Sequence, residues 1–338
     1  MTNAPSYRLP ARLHNARGEV RTVGLELEIG GLSLEQTLAL IQAELGGTLV
    51  TASRTEGAVQ ASALGTFKVE WDHSMLRQRS YLRPLERLGL LDGEHSSFAD
   101  KVEDSVLQLA AEIVPIEVVT PPIALDQLGR LDPLWTRLRV AGAKDTHDSL
   151  LYAFGLHLNP EIPDRDSRTV LAYLRAFLLL EDFLVEVSKI DLARRISPFI
   201  KPFPEVYRRK VLALDYAPSA EVLLADYLDH SPTRNRTLDM LPLFVDLHGD
   251  DFLARVEEAP LVKGRPTFHY RLPNCALSEP GWTPAVDWNH WVAVEDLACD
   301  PARLEELSRA YLDTLDLPLR LQSGAWVDEV RSRLALPA

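Results

Sequence analysis

The sequence is short of cysteine, of long apolar runs and of positive charge, and each shortage closes off a class of protein. Cys275 and Cys299 are the only thiols in 338 residues, too few for a disulfide framework or a cysteine zinc site. That usage fits a reducing, cytoplasmic setting. No stretch of about 18 apolar residues occurs, which argues against a transmembrane helix. The opening segment, Met1 to Arg21, lacks the apolar core of a signal peptide. It carries Arg8, Arg12, Arg17 and Arg21 and reads as a flexible lead-in. The chain holds 36 basic against 49 acidic residues, a net charge of −13. An acidic whole argues against nonspecific nucleic-acid binding, which rests on phosphate neutralisation. Local basic sites for a nucleotide's phosphates remain compatible with it. Missing motifs narrow the chemistry further. No Gly-x-x-x-x-Gly-Lys-Ser/Thr loop, no Gly-x-Gly-x-x-Gly fingerprint and no Gly-x-Ser-x-Gly elbow is found.

What is present is an ordinary folded composition, 46% hydrophobic and 25% charged. No linker composition divides the chain, so the expected organisation is an irregular arm over 1–20 and one domain over 21–338. Apolar spacing predicts a helix from a Ser33 cap to Leu45, stopped by Gly46-Gly47. Further helices are expected over 98–111, 126–140, 167–190, 219–228, 238–252, 301–315 and 326–334, and a loop or excursion over 75–97. Residues 198–218 read as proline-punctuated, and Asp287-Trp288-Asn289-His290-Trp291 as a binding loop or a packed corner. Strands and helices alternate irregularly, with a helical block late in the chain. The pattern predicts an α+β fold, a curved and mainly antiparallel sheet with helices on one face.

The most informative segment is Val23-Gly24-Leu25-Glu26-Leu27-Glu28-Ile29-Gly30. Strand side chains alternate faces, so Glu26 and Glu28 point one way, roughly 6.5–7 Å apart, and Leu25, Leu27 and Ile29 the other. Paired carboxylates on one strand face repel and resist desolvation, so they call for open water or bound cations. Other strands repeat the pattern. Lys68, Glu70 and Asp72 share a face opposite Phe67, Val69 and Trp71. His157 and Asn159 oppose Leu156 and Leu158, and Thr267, His269 and Arg271 oppose Phe268, Tyr270 and Leu272. Glu117 opens another strand ending at Pro121-Pro122. In one sheet these strands would share an open face of Glu26, Glu28, Glu70, Asp72, Glu117, His157, Lys68 and Arg271. Carboxylates hold divalent ions that bridge phosphates, and Lys and Arg neutralise a transferring phosphoryl group. An ordinary solvated sheet face would alternate too, but favours Thr, Lys, Ser and Gln over Glu, Asp and His.

These segments, in order, resemble the amidoligase family, relatives of glutamine synthetase and glutamate–cysteine ligase. Gly24-Leu25-Glu26-Leu27-Glu28 is similar to its opening motif, and Lys68-Val69-Glu70-Trp71-Asp72-His73-Ser74 to its second strand. Glu117-Val118-Val119-Thr120-Pro121-Pro122, Gly155-Leu156-His157-Leu158-Asn159 and His269-Tyr270-Arg271-Leu272 resemble the later elements. The resemblance implies a glutamine synthetase-like catalytic domain. It implies an ATP-dependent carbon–nitrogen ligase that joins a small-molecule or peptide carboxylate to an amine through an acyl phosphate. By carry-over, Glu26, Glu28, Glu70, Glu117, His157 and His269 would serve Mg²⁺. Lys68 and Arg271 would contact phosphates, with Asp72 and Arg271 as catalytic candidates. Arg234 and Arg236, in a loop-like context, read either as candidates for ATP phosphates or the acceptor carboxylate or as a solvated charge pair at a helix start. Arg265, beside the late strand, could do similar work but reads more readily as a solvated residue. His269 stands where relatives usually carry a glutamate. Imidazole suits Mn²⁺ or Zn²⁺ better than Mg²⁺. A change of metal, fewer metals, lost activity in a nucleotide- or peptide-binding scaffold, and a plain structural histidine all stay open at this point. A divalent-metal hydrolase is the third class. Nucleic acid and membrane are not expected partners, and the oligomeric state is undefined.

Overall fold

The computed structural model describes residues 5–71, 115–145, 154–188, 200–315 and 319–336. Asp72, the expected excursion over 75–97 and the expected helix over 98–111 lie outside the described residues.

The sheet begins with β1 (Thr22–Ile29), whose burial alternates residue by residue as the sequence pattern demands. Leu25, Leu27 and Ile29 are fully buried. Helix α1 (Leu34–Leu45) follows, and Ser33 caps it in a capping box. Gln36 N donates to Ser33 Oγ at 3.2 Å, and Ser33 N donates to Gln36 Oε1 at 2.8 Å. Ser33→Ala is expected to cost about 1 kcal/mol in urea unfolding, and Gln36→Ala to cost less. Gly47, at φ +97°, then turns the chain. A Cβ there would come within 2.5 Å of Gln60 O, so only glycine fits.

β2 (Thr48–Thr51), β3 (Glu56–Ser62), β4 (Gly65–Trp71) and β5 (Ile116–Val119) continue the sheet. β3 is an addition to the sequence reading, because Glu-Gly-Ala-Val-Gln-Ala-Ser is poor in strand-favouring residues. It pairs because its neighbours supply the ladder. β6 (Ile123–Ala124), β7 (Leu156–Pro160), β8 (Leu238–Asp239) and β9 (His269–Tyr270) complete it. The order is β2-β3-β4-β5-β1-β7-β9-β8, with β6 also on β1. All named pairings are antiparallel. The expected mainly antiparallel sheet is therefore present, in a mixed fold of strands and helices. Asn159-Pro160, expected to end a strand, lies inside β7 instead. The expected strand over 266–272 shortens to two residues plus a bridge between Glu161 and Thr267.

The helices are α2 (Asp132–Val140), α3 (Ser167–Val187), α4 (Glu205–Leu212), α5 (Ala220–His230), α6 (Leu241–His248), α7 (Ala285–Ala298), α8 (Pro301–Thr314) and α9 (Leu319–Leu334). None of the described helices is long and apolar enough to cross a membrane. The proline-punctuated stretch contains α4, and the first half of the helix expected over 126–140 is a 3-10 turn, with Pro133 starting α2. The segment around Asp287 is α7 rather than a loop, with Trp288 and Trp291 buried. It escapes sequence reading because it is apolar on nearly every side and has no stripe.

α1 packs on β3 and β4, and α3 and α7 cover the apolar side of the sheet around β9. Tyr173 stacks on Phe268 at 5.0 Å, and Phe177 and Trp291 meet Tyr270 at 5.8 and 5.5 Å. Arg21 projects into the same core and is fully buried, paired with Glu295 of α7 at 2.5 Å. Tyr173 Oη and Trp291 Nε1 donate to the same carboxylate. A charge so placed is tolerable only when paired and fully hydrogen-bonded, and the pairing fixes α7 beneath β1.

Candidate functional site

The other face of the sheet collects the charged residues. Register puts Glu28 opposite Glu117, Glu117 opposite Glu70 and Glu70 opposite Glu56. Four carboxylates thus form one row across β1, β5, β4 and β3, with about 4.8 Å between neighbouring strands. Like charges directly opposite one another destabilise a sheet. Glu56 escapes sequence reading because its strand does. Gly155 N donates to Glu28 Oε2 at 2.6 Å, which orients that carboxylate.

Two residues along β1, the next row holds Lys68, Val119, Glu26 and His157. Lys68 is exposed and two strands from Glu26. Here the chain forms a compact cluster. One ligand atom each from Glu26, His157 and His269 lie within 4.8 Å of one another. His157 Nδ1 is 3.2 Å from Glu26 Oε2, and its Nε2 is 4.0 Å from Glu28 Oε1. The two imidazoles meet edge to face at 5.2 Å.

Asn159 orders this cluster. Its Nδ2 donates to Glu26 Oε1 at 3.0 Å, so its Oδ1 is the atom that faces His269 Nδ1, at 2.8 Å. Nδ1 of His269 must then carry the proton, and Nε2 is left with its lone pair. That buried Nε2 has no hydrogen-bond partner among the described residues. Arg265 Nη1 donates to Glu26 Oε1 at 3.1 Å.

Burial would raise the Glu26 carboxyl. The hydrogen bond with His157 and the positive charge around it, Arg265 included, outweigh burial and hold it well below the usual carboxylate range. Burial pushes His269 well below the usual imidazole range, against the pull of Glu26. An ionised carboxylate and a neutral imidazole with a free lone pair are the states in which these groups ligate metals. Two imidazoles and one carboxylate suit Mn²⁺ or Zn²⁺, while the all-carboxylate row suits Mg²⁺. The residues present therefore fit a divalent metal.

The rest of the site is built from β8 and β9. Asp239 lies opposite His269, accepts from Leu241 N at 2.9 Å, and is raised to about 6 by burial, against the neighbouring Arg234 and Arg271. Arg271 is buried on the same face, and its Nη1 donates to Arg234 O at 2.8 Å. Arg236 is bound elsewhere. It donates to the carbonyls of Pro202 and His230 and lies over the Phe203 ring.

Three contributors are at most partly legible in the sequence. Asn159 sits at an Asn-Pro pair that reads as a strand end. Asp239 lies in a two-residue strand inside an expected helix. Arg265 reads more readily as solvated than as a phosphate or carboxylate contact, and it reaches Glu26. The alternation of Leu158-Asn159 and the place of Arg265 beside the late strand are the local signals; Asp239 has none. Asn159→Ala is expected to weaken Mn²⁺ binding about tenfold, within the range for outer-shell partners, as read by calorimetry.

A carboxylate–imidazole cluster lies on the charged face of an antiparallel sheet, beside a row of glutamates, and its donors fit a divalent metal. The chain belongs to the family described as "Putative amidoligase enzyme", whose model matches residues 19–293. The description names a ligase-type enzyme. No curated protein and no solved structure matches the chain.

Proposed function

We propose that the protein is an ATP-dependent carboxylate–amine ligase, acting in the cytoplasm on a glutamine synthetase-like sheet. The observation that carries this reading is the Glu28–Glu117–Glu70 row lying one step from the Glu26–His157–His269 cluster, with Arg271 on the same face. Family membership supports it.

In this reading Glu26, His157 and His269 hold one divalent ion, and Glu28, Glu70 and Glu117 serve a second or its phosphate-bound shell. Metal bound there supplies positive charge for the phosphate oxygens of ATP. Arg271, and Lys68 from β4, neutralise charge on the transferring group. A carboxylate oxygen attacks the γ-phosphorus and ADP leaves, which yields an acyl phosphate. The amine nitrogen then attacks the acyl carbon, phosphate departs, and the amine gives up a proton as the amide forms. Asp72 is the proposed acceptor of that proton.

The test is ADP and phosphate release that depends jointly on a carboxylate, an amine and Mn²⁺ or Mg²⁺. ATP hydrolysis indifferent to carboxylate and amine would count against a ligase. A His269-containing site that binds ATP and Mn²⁺ by calorimetry, with no turnover across a broad acceptor panel, would favour the nucleotide-binding scaffold instead.

A further inference from the structure

A cavity of about 480 Å³ opens beside the cluster, at the Gly24 end of β1. That is within the range of roughly 300–1,000 Å³ usual for small-ligand sites. Its apolar wall includes Val20, Val119, Pro122 and Pro266. Val20 belongs to the segment read as an irregular arm, which in fact closes a turn through a His14–Val20 bridge. Gly24 lies on the face of Glu26 and lines the cavity, so the absence of a side chain there leaves space two residues from the cluster.

The polar groups of the cavity are unevenly committed. Glu161 is taken up by Thr22 N, Thr22 Oγ1 and Asn15 Nδ2, and Glu19 by Arg17. Arg265 and Thr267 also line the cavity, and Arg265, held to Glu26 through Nη1, keeps a half-exposed guanidinium there. A guanidinium and a hydroxyl on one cavity wall are donors of the kind that bind a carboxylate. An ammonium group would meet the Arg265 charge, and the cavity's two further carboxylates are already engaged. A nucleobase fits the position poorly, because a ribose and two phosphates separate it from the γ-phosphate, whereas this cavity borders Glu26 itself.

We propose that this cavity binds the carboxylate substrate, a carboxylic acid with an apolar body, with its carboxylate on Arg265 and Thr267 and Gly24 as the floor that sets its size. The assignment rests on the ligase reading above and adds to it the class of acceptor and the residue that selects it.

The test is a binding series by calorimetry in the presence of MnCl₂, using acetate, 4-methylvalerate, phenylacetate and N-acetylleucine, each paired with its primary amide. The larger acids are expected to bind more tightly than acetate and at least tenfold more tightly than their own amides. Arg265→Gln should remove the preference for acid over amide. Gly24→Ala should be accepted structurally, since its Cβ would meet Asn159 Cβ at an ordinary 3.7 Å. Gly24→Val, compatible with a strand, should weaken the larger acids about tenfold or more and leave acetate binding unchanged. A urea unfolding curve on the same preparation certifies that the variant folds.

Equal binding of acid and amide, no binding by any acid, displacement of the acids by adenosine, or indifference to Gly24→Val overturns the proposal. The two readings fail separately. Selective acid binding with no ADP release from any acid–amine pair sinks the ligase and leaves the cavity assignment standing. ADP release that Gly24→Val does not alter sinks the cavity assignment and leaves the ligase.

Discussion

Glu28→Gln is expected to lower acceptor-dependent ADP release by ~10²–10³-fold, the range seen when one preorganised electrostatic contact to a transition state is removed. Glu28 is the best single position at which to ask this. It sits between the Glu117–Glu70–Glu56 row and the His157 ring, so it borders both halves of the site. Glutamine is preferable to alanine because Gly155 N donates to Oε2 at 2.6 Å. Alanine would leave a half-buried amide unpaired at a cost of about 1–3 kcal/mol, and lost stability would then be confused with lost chemistry. Glutamine keeps an acceptor oxygen and removes only the charge. Turnover and a urea unfolding curve on the same preparation check the result. Full turnover at wild-type stability would remove Glu28 from the metal and phosphate site.

The second large effect concerns the metal itself. Wild-type protein is expected to bind Mn²⁺ or Zn²⁺ more tightly than Mg²⁺, because two of the three clustered donors are imidazoles. His269→Ala should weaken Mn²⁺ binding by more than ~100-fold, beyond the upper end for outer-shell partners such as Asn159. His269→Glu should reverse the preference toward Mg²⁺, since it returns the oxygen donor that hard cations take. Calorimetry with each ion on wild type and both variants reads this directly. The argument rests on Nε2, which is buried, unpartnered among the described residues, and fixed as the unprotonated nitrogen by Asn159 on the other side of the ring. A plain structural histidine would give variants of altered stability and unaltered metal affinity. The alternatives that sequence leaves open for His269 therefore separate in one experiment.

Much of the candidate site is legible in the amino-acid sequence, for a specific reason. A strand places every second side chain on one face, so Glu26 with Glu28, His157 with Asn159, and His269 with Arg271 can each be paired from local sequence. α1 is equally legible, because Ser33, Gln36 and the two glycines are local signals that act on a single helix. The helices that are not legible, α4 and α7, are those whose form depends on burial against other elements. Their sequences carry prolines nearby, or apolar residues on nearly every side, and so present no periodic stripe.

The sequence by itself determined which faces are charged, because alternation is a property of one strand and survives any arrangement of its neighbours. It also carried the family, through short motifs in a fixed order. Only the tertiary structure decided which charged faces touch. The order β4-β5-β1-β7-β9-β8 brings Glu70, Glu117, Glu28, His157 and His269 side by side from across about 240 residues of chain. The same order carries Arg265 to Glu26 and Arg21 to Glu295. It turns Gly24 from a motif letter into the floor of a cavity. Strand pairing is a long-range choice set by burial of the opposite, apolar face against α1, α3 and α7, and no local pattern encodes it.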